Sequence, residues 1–204
     1  IPKFLMTALL LIDFQNDFFP FGTIEAKNAD TALVQIVNDL MPRFDHVIAL
    51  CDEHPADHNS FAANHLWRRP WQTMNTDAGE RLLWPMHSVA GSFGADWAAG
   101  LHHEKIERTF AKGLHPDATG YSGFENPTLE SWLHAAGVQQ LYLVGTLLEY
   151  SVRHTALNAM QRGFATTVLL QGCGFLELHP GDSEQAIAEM QQAGVLVTRS
   201  APVF

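Results

Sequence analysis

Cysteine is scarce in this chain. Cys51 and Cys173 are its only two, too few for a disulfide framework and suited to a reducing cytosol. Long apolar runs are missing as well: the longest fall far short of the roughly 20 residues that a membrane-spanning helix needs, and no signal peptide precedes the first strand-like segment. Basic residues are few, 12 Lys and Arg against 22 Asp and Glu, and the net charge of −10 is spread along the chain without a Lys/Arg stripe. Neither nucleic acid nor a membrane is expected as a partner, and the chain shows no internal repeat or low-complexity tract.

What is present is enough apolar sequence, 47% of 204 residues, to bury one substantial core. One domain is expected over residues 6–204, with Met6 a natural start and Ile1–Leu5 either an appended remnant or an extension. Strands are predicted at 7–12, 46–51, 105–111, 140–145, 165–171 and 194–199, with 7–12 and 140–145 as apolar runs. Helical spacing predicts helices at 29–41, 128–136, 151–162 and 182–192, the last opening at Asp182 as cap and followed by Gly194. This alternation predicts an α/β fold, an open, mostly parallel six-stranded sheet with helices on both faces. The stretch 52–104 is long for a loop, and such loops are usually functional or carry short helices.

Several residues stand where chemistry is expected in such a fold. The run Thr7–Ile12 ends abruptly in Asp13, at the carboxyl edge where open α/β sheets bind ligands. Ser151 falls where the strand 140–145 feeds a helix, so unpaired N–H groups and the partial positive charge of a helix start lie close by. A helix-capping serine is the ordinary reading of such a position. Asp52 and His54 alternate just past a strand end and would point the same way in extended chain. With His87 they would form a two-His, one-carboxylate face of the kind that suits Zn²⁺ or Fe²⁺, although an Asp-x-His pair also arises by chance among eleven histidines.

Taken together, the motifs resemble a known family. The strand followed by Asp13-Phe14-Gln15-Asn16-Asp17-Phe18, the segment Asp52-Glu53-His54-Pro55-Ala56-Asp57-His58-Asn59-Ser60-Phe61 and the segment Trp84-Pro85-Met86-His87-Ser88-Val89 come in order. Lys112-Gly113 with Tyr121-Ser122-Gly123-Phe124, and then the turn at Ser151, complete the series. The pattern is similar to that of the isochorismatase-like cysteine hydrolases and, within them, the nicotinamidases, also called pyrazinamidases. It covers nearly the whole chain.

That resemblance implies a triad of Asp13, Lys112 and residue 151, with an acyl-enzyme on the nucleophile. It implies an oxyanion hole from the amides of Leu147 and Ser151, with the Thr146–Leu147 bond in the cis form. It places one divalent ion, zinc before iron or manganese, on Asp52, His54 and His87, with His58 an extra ligand or a support. The ion holds the ring nitrogen of a small heteroaromatic amide such as nicotinamide, while Phe18, Trp84 and Tyr121 flank the ring; ordinary core packing is the competing role for Phe18 and Trp84, and surface exposure for Lys112. A cytoplasmic enzyme of NAD salvage is implied, and a homo-oligomer is compatible with it.

The departures carry as much weight. Serine stands at 151 where the family has cysteine, and a hydroxyl's pKa lies several units above the roughly 8.5 of a thiol, beyond the reach of a carboxylate base. Little or no turnover is expected. An engineered Cys-to-Ser change, which the otherwise intact site favours, and a natural homologue that binds without turnover both fit. Leu147, Leu148 and Glu149 replace the common Ala, Thr and Asp, Glu53 replaces a tryptophan, Ser88 a cysteine, and Phe19-Pro20-Phe21 alters the loop after the first strand. These leave open a related amidase for another small amide, or a metal-containing protein that only binds a pyridine.

Overall fold

In the first strand, β1 (Met6–Ile12), both sets of alternating side chains are apolar, which requires cover on both faces of the sheet. A computed structural model, which describes residues 5–77 and 79–200, shows how that cover is supplied. The strands β2 (His46–Asp52), β5 (Arg108–Lys112), β6 (Val138–Gly145), β7 (Ala165–Cys173) and β8 (Leu196–Thr198) join β1 in one sheet of order β5-β2-β1-β6-β7-β8. Every pairing in it is parallel. Leu9 and Leu11 of β1 pack into a cluster with Leu33, Val34 and Val37 of α1 (Thr31–Leu40). On the other face Ala8, Leu10 and Ile12 pack with Leu133 of α2 (Leu129–Ala135), Ala156 of α3 (Arg153–Gln161) and Met190 of α4 (Asp182–Gln192).

The strand order reverses direction at β1, with β2 added on one side and β6 on the other. Crevices open at the carboxyl ends of strands at such a point. Register then decides which residues meet there. Asp52 is the partner of Lys112 across β2 and β5, and Ile12 pairs with both Leu50 and Gly145, so Asp13 emerges between the ends of β2 and β6.

The predicted elements are all present, with shifted ends. β5 starts at Arg108 because His103–Lys105 form a 3-10 turn, and it extends to Lys112. β8 is confined to three residues because Gly194 is taken up in the turn after α4, at a φ of 90°. Asp182 is the first residue of α4 rather than its cap; Gly181, at a φ of 94°, holds the cap position. The stretch 52–104 carries short 3-10 turns and an unforeseen antiparallel hairpin of β3 (Thr73–Thr76) and β4 (Gly79–Leu82). Of the N-terminal segment assigned as remnant or extension, residues 1–4 lie outside the described ones. Among the described residues no helix is long and apolar enough to cross a membrane.

Candidate active site

Lys112 organises the centre of the crevice. As the last residue of β5 it is fully buried, and its Nζ lies 2.5 Å from Asp52 Oδ1, 3.1 Å from Asp13 Oδ1, 2.7 Å from the Gly120 carbonyl and 3.3 Å from Ser151 Oγ. An ammonium has three protons, so four oxygens compete for them. Burial would lower the lysine's pKa, but the carboxylates of Asp13 and Asp52 outweigh it and the ammonium is held more firmly than usual.

The two carboxylates that share this cation diverge. In Asp52, burial opposes ionisation, yet Lys112 and His54 together hold its pKa well below the usual carboxylate range. Asp13 is raised to about 6 by burial and by the charge of Asp52, with Lys112 only partly compensating. Its backbone is left-handed at a φ of 60°, and although Lys112 is close, no partner among the described residues meets either carboxylate oxygen at hydrogen-bonding angles. Two acids with divergent environments around one site are an arrangement suited to proton transfer.

Ser151 sits in a π-helical turn, Leu148–Val152, that runs directly into α3. Neither start carries a side-chain cap, so the ordinary capping role does not apply to Ser151; its hydroxyl faces Lys112 instead. No cis peptide bond occurs among the described residues, which corrects the expectation for Thr146–Leu147. With no proline there, the trans form is the low-energy one. Glu149, one of the departures, braces the turn from behind. Its buried carboxylate accepts from the amides of Leu176 and Glu177 at 3.0 and 2.9 Å and from the Ser183 hydroxyl at 2.9 Å. Glu149→Leu strands the Leu176 and Glu177 amides, the Ser183 hydroxyl keeping the Glu177 carboxylate, and should cost about 2–3 kcal/mol, read as a lower urea midpoint; an unchanged midpoint would remove the brace from the account.

Asp52, His54 and His87 offer ligand atoms that all lie within 4.8 Å of one another, with His54 Nε2 3.5 Å and His87 Nε2 3.8 Å from Asp52 Oδ2. Both imidazoles are set in the same way. His54 Nδ1 lies 3.1 Å from the Gly113 carbonyl and His87 Nδ1 2.8 Å from that of Pro85, so the proton sits on Nδ1 and the Nε2 lone pairs converge. The residues therefore fit a divalent ion. His87 is brought in by the pairing of the 87–90 segment with His54, whose N–H bonds Ser88 O and whose carbonyl accepts from Ala90, while Asp17 takes the Ser88 amide at 2.7 Å. His58 stands outside the convergent group. Its ring lies 4.4 Å from that of His54, Nδ1 is 2.7 Å from Ser60 Oγ, Nε2 is buried without a partner, and burial together with His54 lowers its pKa to about 4.

Glycine is required beside His54. A Cβ on Gly113, whose φ is 68°, would lie 2.3 Å from the imidazole Cε1. Gly113→Ala should push His54 out of line and weaken ion binding by about 10- to 100-fold. Competition against a chelating dye measures this, and retention at parental affinity would refute the placement.

The cleft above these groups is lined by Trp84, Tyr121, Leu147, Tyr150 and Ser151 together with the ion-ligand residues. Trp84 Nε1 donates to the Tyr121 hydroxyl at 2.9 Å, and Tyr150 meets the Trp84 ring edge-on at 4.8 Å. Phe18 borders the cleft only through His87, whose ring it meets at 5.7 Å. In this conformation the cleft encloses about 10 Å³, room for about one water. Sequence reading missed Tyr150, and also Gln15. Its side-chain amide grips the Asp52 backbone from both sides, Nε2 to the carbonyl at 2.8 Å and Oε1 from the amide at 2.9 Å. Gln15 stands in a polar run with Asn16 and Asp17, so its residue type alone gave no signal.

The isochorismatase domain matches this chain over residues 7–202. A nicotinamidase of Escherichia coli (strain K12) is 35% identical over 197 residues, which cover 92% of each chain. Among solved structures, the Acinetobacter baumanii nicotinamidase/pyrazinamidase aligns with a TM-score of 0.91 at 32% identity, covering 97% of each chain. The pyrazinamidase of Pyrococcus horikoshii in complex with zinc aligns with a TM-score of 0.78 at 29% identity, covering 95% of this chain and 99% of that one.

Proposed function

The chain belongs to the isochorismatase-domain family, and from that premise we propose that it is a metal-dependent nicotinamidase in architecture, disabled at its nucleophile by Ser151. Residues 6–204 act as one domain, and the substrate is a small pyridine carboxamide, nicotinamide first and pyrazinamide as analogue, hydrolysed to acid and ammonia for NAD salvage. The observation that carries this reading is the position of Lys112 between Asp13 and Ser151, at the edge of a convergent Asp-His-His face.

Asp52, His54 and His87 would hold the ion, zinc by preference, with His58 as support. When bound, it supplies a Lewis-acidic anchor for the ring nitrogen. Trp84 and Tyr121 flank the ring, with Phe18 behind His87, and they move apart to admit it, since the resting cleft is nearly closed. In the cysteine form Asp13 takes the thiol proton and the sulfur attacks the amide carbon. The amides of Leu147 and Ser151 face the developing oxyanion, and Asp13 returns the proton to the departing ammonia. Water, deprotonated by the same carboxylate, then cleaves the thioester to the acid. Lys112 keeps Asp13 oriented throughout. In the chain as it stands the hydroxyl is too weak an acid for Asp13, so the ligand binds and stays intact. A protein that only binds the pyridine remains the second reading, favoured by the same serine. Ammonia release from nicotinamide by the Ser151→Cys protein separates the two.

The base also sets a pH dependence. Asp13 must be ionised to accept the proton, and its pKa is about 6, so kcat/KM of the Ser151→Cys protein should fall as pH drops through that value and level off above about 7. A profile flat down to pH 5 would exclude Asp13 as the base.

A further inference from the structure

The hairpin that the sequence did not disclose builds a second chamber against the cleft. Ser60, Thr119 and Tyr121 line both spaces, and Thr76, Glu80 and Arg81 of the hairpin close the far side. The chamber holds about 110 Å³, against about 10 Å³ in the cleft itself. Of these two adjoining spaces, the one beside the ring position is the roomier.

Arg81 gives that room a chemical preference. It is half-buried, in a chain of strongly negative net charge. One guanidinium nitrogen donates to the Asp117 carbonyl at 2.9 Å. That bond orients the planar group while leaving the remaining donors of its fork for an acceptor. The charge reaches the shared wall: burial raises the pKa of Tyr121, while the Trp84 N–H and Arg81 act against the rise. Glu80 borders the same chamber but is exposed, where water and salt screen its carboxylate.

We infer that the hairpin chamber is a second subsite of the cleft, in which Arg81 binds a carboxylate or similar small anionic substituent carried by the amide substrate. The inference rests on the cleft taking a flat amide as proposed above, and it extends the substrate class from nicotinamide to amides with an acidic ring substituent.

Calorimetric titration of the zinc-loaded Ser151 protein with nicotinamide and with the positional isomers of its ring-carboxylated derivative tests this. At least one isomer should bind about tenfold more tightly than nicotinamide, the scale of one charge-assisted hydrogen bond in a partly desolvated site. In Arg81→Gln the ratio should fall to about one, and Arg81→Lys should retain part of it. Nicotinamide binding with no isomer preferred, or a preference that survives Arg81→Gln, would overturn the subsite and leave the nicotinamidase reading intact. Binding of a carboxylated isomer through Arg81, with nicotinamide ignored, would uphold the subsite and overturn nicotinamide as the ligand. Failure of every compound to bind would overturn both.

Discussion

Restoring cysteine at position 151 should raise ammonia release from nicotinamide by about 10³-fold or more over the serine chain. The two side chains are nearly isosteric, so the surroundings need not move. What changes is the proton. Asp13, with a pKa of about 6, faces a gap of a few units to an ordinary thiol near 8.5, and the site narrows it further. Lys112 Nζ, 3.3 Å from the nucleophile atom, and the start of a helix both favour the thiolate. The same carboxylate faces a far larger gap to a hydroxyl, and no histidine is placed to relay the proton. The assay needs equal ion content in both proteins. A folded, ion-loaded cysteine form that releases no ammonia from nicotinamide would defeat the proposed reaction.

The second large effect is on stability. Lys112→Met removes the ammonium that, among the described residues, bridges Asp13 and Asp52, two carboxylates in the same buried centre. Stranding buried charges of this kind costs about 3–5 kcal/mol, and urea unfolding at pH 7 of ion-free protein should show it. The pH dependence identifies the cause. Without the lysine the buried Asp13 loses the cation that offsets its burial and the charge of Asp52, so its folded-state pKa rises further above the unfolded one. It then destabilises the fold once pH exceeds the unfolded value, and the penalty grows until the folded pKa is passed. The deficit relative to the parent should accordingly shrink between pH 7 and pH 5. A loss that does not vary with pH would point to lost packing instead, and a loss below about 1 kcal/mol would mean that Lys112 is not the centre of charge.

The residues at this centre were legible for different reasons. Asp13 stands out because it ends an apolar run with a charge, and Lys112 because it closes a predicted strand just before Gly113. Asp52, His54 and His87 were legible as residue types at a spacing. Their convergence was not, since it depends on the bonds that fasten Ser88 and Ala90 to His54 and on the Gly113 and Pro85 carbonyls that orient the rings. Gln15, Tyr150 and the hairpin stayed hidden for the same reason: each acts through partners distant in sequence, such as Asp52 for Gln15. The expected cis bond after Thr146 came from resemblance and not from any residue present.

The order of apolar runs and helical periods by itself determined the layered α/β architecture, because burying a strand on both faces admits few other solutions. It also placed an acid, a lysine and a serine at strand ends. Only the tertiary structure decided that one ammonium would serve Asp13, Asp52 and Ser151 together. Parallel register sets Asp52 beside Lys112; burial and the charge of Asp52 raise Asp13, while Lys112 and His54 keep Asp52 ionised against its own burial. These are effects of distance and dielectric, which arise when the chain has closed around the charges.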